Sequence, residues 1–256
     1  MTTVEIISIA AAGAAAGAIN ALAGGGTLVT FPVLLFFGTP PVIANATSTI
    51  ALVIGTAGSI FGYRKHIAEV KPWLNRFVPV SLLGGLLGGI LLTRTSNETF
   101  AKMVPFLILF ATLLFFAQGA FRRFAGFEEN AGPKHHAVVG AICFQFFVSL
   151  YGGYFGAGIG ILMLASLGFI GLTNIHEMNG LKTVLGSLIN VVATLWFVWA
   201  GLIHWPKAII MAVGAILGYY CSAHFSQRIP QQYVRHLITG IGLLISAWTF
   251  YEQFLR

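Results

Sequence analysis

Two glycine-rich stretches hold the residues best suited to chemistry. They are Asn20-Ala21-Leu22-Ala23-Gly24-Gly25-Gly26-Thr27 and Tyr151-Gly152-Gly153-Tyr154-Phe155-Gly156-Ala157-Gly158-Ile159-Gly160, and each precedes a short apolar run. Glycine lets a chain leave helical geometry. The first N–H groups of the helix that restarts have no partner inside it, and with the helix dipole behind them they favour an anion. Close helix packing is the bland alternative and suffices for Gly13/Gly17, Gly84/Gly88 and Gly214/Gly218. For the clusters we expect substrate contacts, from Asn20, Gly24, Gly25, Gly26 and Thr27 in the first and from Tyr151, Tyr154, Gly158 and Gly160 in the second.

The segments that follow carry polar residues at helical spacing. Asn179, Thr183, Gly186 and Asn190 share one face, and their counterparts at an offset of 134 are Asn45, Thr49, Leu52 and Thr56, with Ser48 alongside. Polar groups at membrane depth face the protein interior. Interhelical hydrogen bonding accounts for Thr56 and Asn190 as well as binding does, whereas Asn45, Ser48, Asn179 and Thr183 are expected in the site. Lys182 is the sharpest single residue, since no other charge lies between Gly180 and His204. A lysine there costs about 2.5–3.5 kcal/mol on insertion scales, which snorkelling to an interface, pairing with Glu177 or binding an anion could each offset. His176-Glu177 begins a zinc-protease signature that fails at Gly180. Glu177 is left as a carboxylate for proton coupling or as a solvated loop residue. No metal site and no cofactor is expected.

These residues need an apolar frame, and the composition supplies one. Only 8 % of the 256 residues are charged and 57 % are hydrophobic, with a mean hydropathy of +0.86. So few charges cannot cover a water-facing surface, so the expected class is an all-α polytopic membrane protein. Without a single aspartate, Asp-centred phosphoryl transfer, aspartyl dyads and EF-hand loops are excluded. Cys143 and Cys221 lie in apolar runs and read as buried hydrophobes. The net charge of +7 sits mostly in short linkers, the pattern of cytoplasmic loops rather than of nucleic-acid binding. Glu5 and the missing basic n-region make the N-terminus a mature segment and not a cleaved signal.

Ten apolar segments can be drawn. The second and seventh, each after a glycine cluster, are too short to span and read as re-entrant pieces. An offset of 134 superposes Gly26 on Gly160, Asn45 on Asn179, Pro72 on Pro206, Gly84 on Gly218 and Arg94 on Arg228. The chain thus divides into repeats over 1–121 and 136–256, joined by a linker at 122–135. Paired repeats with broken helices are the pattern of secondary transporters. Inverted and parallel arrangements place equal numbers of basic residues inside, and both make the 63–76 and 122–136 loops cytoplasmic. The hairpin reading favours inversion.

At these motifs the chain resembles the sulfite exporter TauE/SafE family. The resemblance is carried by Gly17 to Pro32, Ala44-Asn45-Ala46-Thr47-Ser48, Tyr151 to Gly160, Asn179-Gly180-Leu181-Lys182 and Gly201-Leu202-Ile203-His204-Trp205. The second cluster departs from an unbroken glycine run. Membership implies export or uptake of small sulfur-containing anions such as sulfite, sulfoacetate or other sulfonates across the bacterial cytoplasmic membrane. The expected partners are therefore a small anion and the lipid bilayer, with no nucleic acid; a homo-oligomer is compatible with the sequence. The rivals are an anion channel, a cobalt- or nickel-like divalent-cation transporter and a membrane enzyme. The last lacks any nucleophile–base spacing.

Overall fold

In lipid the backbone must satisfy its own hydrogen bonds, and an apolar chain with few β signals does so as helices. In the computed structural model, which describes residues 1–22, 25–67, 71–124, 135–169, 175–225 and 231–255, ten helices account for nearly all of the chain. They are α1 (Thr3–Leu22), α2 (Thr27–Phe36), α3 (Pro41–Ile67), α4 (Lys71–Arg94), α5 (Asn97–Phe124), α6 (His135–Tyr154), α7 (Ile159–Phe169), α8 (Ile175–Trp199), α9 (Trp205–Phe225) and α10 (Gln231–Phe254). Among the described residues there is no strand. Four stretches there are long and apolar enough to cross a membrane: Thr3–Ala21, Lys71–Arg94, Asn97–Ala117 and Glu177–Trp199. At 10 and 11 residues, α2 and α7 reach only about half way across a bilayer core. Leu83, Leu91, Phe116, Leu195, Ile209 and Leu244 are among many large apolar side chains left exposed around the outside, as a lipid-facing surface requires.

Side-chain contacts sort the helix ends into two faces. At the first face the start of α1 meets the start of α9 and the end of α2. There Lys207 Nζ pairs with Glu5 at 2.8 Å and donates to the Phe37 carbonyl and Thr39 Oγ1. The Val42 N–H donates to Asn97 Oδ1, bringing the starts of α3 and α5 together. Trp196 Nε1 donates to Thr93 and Phe36 meets Trp248, which adds the ends of α8, α4 and α10. At the second face Phe77 near the start of α4 packs with Leu167 of α7 and with Met178 and Leu181 of α8. The α1–α2 hairpin therefore opens towards the first face and α6–α7 towards the second.

Two close helix pairs frame the molecule. A side chain on Gly218 would overlap the Ala14 carbonyl, and one on Gly88 would overlap the Leu150 carbonyl. These glycines thus let α9 lie against α1 and α4 against α6 at backbone distance, the small-residue packing used where lipid gives no hydrophobic drive.

The Lys207–Glu5 pair is nearly out of water and anchors three elements. Lys207→Met should leave the Glu5 carboxylate without its cation and lower the thermal midpoint in detergent. Adding Glu5→Gln should recover part of that loss, because breaking one side of a desolvated pair costs more than removing both. A double variant no better than Lys207→Met would refute the pairing as the cause.

Candidate functional site

A cavity of about 160 Å³ lies where the two hairpins meet. The first hairpin contributes Asn20, Gly25 and Thr27, and α3 contributes Thr49, Leu52 and Thr56. Opposite them stand Gly156, Gly158, Ile159 and Gly160 from the second hairpin, with Lys182, Thr183, Gly186, Ser187 and Asn190 on α8. Tyr219 of α9 completes the wall. Among the described residues Lys182 is the only charged one in this lining.

The breaks take the conformations their residues permit. Gly25 has φ +97 and Gly158 has φ +80, a region that a side chain rarely enters. At the first break the Gly26 N–H donates to Asn20 Oδ1 at 2.7 Å, so one donor at the start of α2 is already met by the protein. Asn20 and Tyr219 both line the cavity. At the second break the first backbone bond runs from the Ile161 N–H to the Gly158 carbonyl at 3.0 Å. The N–H groups of Ile159 and Gly160, both on the cavity wall, thus precede the bonding of their own helix. Tyr151 braces this turn by donating to the Ala157 carbonyl at 2.9 Å.

Lys182 reaches the same end of the cavity. Its stem crosses Gly160, where an added Cβ would stand 3.2 Å from Lys182 Cδ. Its Nζ donates to Asn179 Oδ1 at 3.1 Å. An ammonium has three donors, so this contact orients the group and leaves capacity for a ligand. A cation beside an uncapped helix start is an arrangement that can hold an oxyanion.

Of the residues expected from sequence, Asn20, Gly25, Thr27, Gly158, Gly160, Lys182 and Thr183 line the cavity, with Gly26 and Asn179 bonded to lining residues. Asn45, Ser48, Tyr151 and Tyr154 do not line it. Asn45, Ser48 and Tyr154 lie on its first-face side, where Asn45 and Ser48 are fully buried against α6 and α2, whereas Tyr151 packs against both core clusters. Glu177 sits in the first turn of α8, away from the lining. Gly24 lies outside the described residues, as does most of the 122–135 linker. Sequence reasoning missed Tyr219 and Ser187. A tyrosine in an otherwise apolar helix gives no sign of which neighbour it will face; only the packing of α9 on α3, with the ring against Gly55, turns Tyr219 inward.

Comparison with known proteins adds to this geometry. The family model described as "Sulfite exporter TauE/SafE" matches residues 9–249. A "Probable membrane transporter protein" of Haemophilus influenzae is 29 % identical over 245 residues, 94 % of this chain and 92 % of that protein. The "Probable membrane transporter protein YfcA" of Escherichia coli K12 is 24 % identical over 93 % of this chain and 87 % of its own length. The "Probable membrane transporter protein YunE" of Bacillus subtilis is 23 % identical, with 94 % and 95 % covered. No solved structure matches the chain.

Proposed function

The chain belongs to the sulfite exporter TauE/SafE family, and from that premise we propose that it is a secondary transporter of a small sulfur-containing anion such as sulfite, sulfoacetate or another sulfonate. The observation that carries the anion is the charge of the cavity: among the described residues Lys182 is the one charged residue lining it, and the start of α7 adds backbone donors beside the ammonium. The same lysine repels a divalent cation, which would need acidic or imidazole ligands. Sulfur enters from the family alone. Transport out of the cell is the direction that the family description suggests.

Alternating access is the mechanism we assign. Hairpins opening to opposite faces, framed by the α1–α9 and α4–α6 pairs, support a reading of the two halves as inverted repeats. With the 63–76 and 122–136 loops in the cytoplasm by the positive-inside rule, the second face is cytoplasmic and the membrane is the bacterial inner membrane. On that orientation Thr56 and Tyr219 line the cytoplasmic side of the cavity while Asn45 and Ser48 are closed off on the other side, and we read the state described as inward-facing. Glu177, five residues before Lys182, is the carboxylate we assign to proton coupling.

The test is a thermal-shift panel on detergent-solubilised protein with sulfite, sulfoacetate, taurine, sulfate, acetate and cobalt. A ligand that binds the folded state alone raises the midpoint as its concentration passes its Kd. We expect stabilisation by a sulfur oxyanion lacking an ammonium group, since no lining carboxylate is present to receive one. Stabilisation by cobalt and by none of the anions would overturn the reading.

A further inference from the structure

Asn45 and Ser48 share the sequence pattern of the binding residues, yet the structure places them off the cavity in a closed seam. Thr30 Oγ1 of α2 and Ser48 Oγ of α3 are 2.6 Å apart, with both side chains buried. Asn45 Nδ2 donates to the Tyr154 carbonyl at the end of α6, 3.0 Å away. The Asn45 Oδ1 atom is buried and has no hydrogen-bond partner among the described residues. Beside this seam the rings of Phe31, Phe100 and Phe155, all fully buried, meet edge to face at 5.5–6.3 Å. Phe155 lines the cavity, whereas Tyr154 beside it reaches Thr95 at the first face with its hydroxyl. Seam and rings together separate the cavity from that face.

A polar seam through an apolar wall is an expensive way to pack three helices, and an orphaned amide oxygen makes it more so. As static glue such bonds contribute only about 0.6 kcal/mol each between membrane helices, and the orphaned oxygen offsets that gain. The residues make sense if the seam parts and its polar groups then meet something else. The offset of 134 supplies the other half of the argument: it carries Asn45 to Asn179 and Tyr154 to Asn20. The contact matching Asn45–Tyr154 would therefore be Asn179 Nδ2 to the Asn20 carbonyl. Here that contact is open: among the described residues Asn179 accepts from Lys182 through its Oδ1 and makes no hydrogen bond to Asn20, while Asn20 and Lys182 both line the cavity.

We propose that the route to the first face runs between α2, α3 and the end of α6 along Thr30, Ser48 and Asn45, that the Thr30–Ser48 and Asn45–Tyr154 hydrogen bonds with the three rings form its closed gate, and that Asn179 closes on the Asn20 carbonyl in the opposite state. The inference rests on the transporter reading above and adds to it the residues that open and close the path.

Access to the cavity tests it directly. Full-length protein is reconstituted into liposomes in one orientation, with Cys143 and Cys221, which are exposed on the apolar outside and not buried as their apolar runs suggested, replaced by alanine and Ser187→Cys as the reporter. A membrane-impermeant charged thiosulfonate is then added from each side in turn. The parent should be labelled from the second face. Asn45→Ala and Thr30→Ala should each raise first-face labelling about five-fold, the population change that loss of one buried hydrogen bond brings. Thr30→Cys with Ser48→Cys, whose oxygens stand close enough for their replacements to be cross-linked, should abolish first-face labelling on oxidation and restore it on reduction. Equal labelling of the parent from both faces would overturn the gate. So would first-face labelling unmoved by Asn45→Ala and Thr30→Ala in protein with the parent's thermal midpoint. If those variants fail to fold, the cross-link decides, and first-face labelling that persists after oxidation overturns it. The label reports access and not flux. A gate that responds in a protein stabilised by no sulfur anion removes the substrate reading alone, and a bound anion with an unresponsive gate removes this inference alone.

Discussion

Lys182→Met should lower the affinity for the transported anion by roughly 10- to 100-fold, the loss expected when one charge-assisted hydrogen bond is removed. Methionine is the informative replacement because it keeps an unbranched stem across Gly160, where Lys182 Cδ already defines the available space. What disappears is the ammonium, the single formal charge on the cavity wall among the described residues. Without it the anion must leave water for a site held by backbone donors and neutral hydroxyls, and these do not repay the desolvation of a charge. The thermal shift produced by the stabilising anion should vanish at concentrations that saturate the parent, and counterflow in proteoliposomes should fall with it. The unliganded midpoint should stay close to the parent's, since Asn179 loses only one part-buried contact. Undiminished binding in Lys182→Met would show that the ammonium is not a ligand and would move the anion to the helix starts alone.

The second large effect is on assembly. Gly218→Leu should prevent accumulation of folded protein in the membrane. The added Cβ would fall within the Ala14 carbonyl, which is backbone and cannot swing aside, so α9 must move off α1. Overpacking of this kind costs about 3 kcal/mol or more when backbone has to shift. That is a large part of the 5–15 kcal/mol typical of a folded domain. The displacement would also reach Tyr219 on the cavity wall, the next residue along. Gly240→Leu is the matched control, for a Cβ there meets nothing within 4 Å. Membrane yield and size-exclusion profile read both. A Gly218→Leu protein that elutes and melts like the parent would refute the close α1–α9 approach.

The two substitutions also mark how far the sequence could be read. Lys182 stood out because a lysine amid apolar residues needs a reason whatever surrounds it. The helical class followed from composition, and the two short helices followed from glycine clusters that interrupt long apolar runs. Asn45 and Ser48 were harder. Their spacing on α3 matches that of Asn179 and Lys182 on α8, so the sequence treats them as equals. In the folded chain Lys182 faces open space while Ser48 is closed against Thr30.

By itself the sequence determined that this is an all-helical membrane chain of the TauE/SafE type, with breaks at its two glycine clusters and a lysine, Lys182, set among apolar residues. Those properties belong to single residues and short runs: lipid imposes the helix, a missing Cβ permits the break, and burial of a charge demands a partner. The tertiary structure alone decided which polar residues share the cavity and which seal it, that Tyr219 turns inward, and that Glu5 meets Lys207 from more than two hundred residues away. Such choices depend on which helix faces are pressed together. In a chain apolar on nearly every face, the pattern of hydrophobicity leaves that open, and close contacts between glycines and distant backbone settle it.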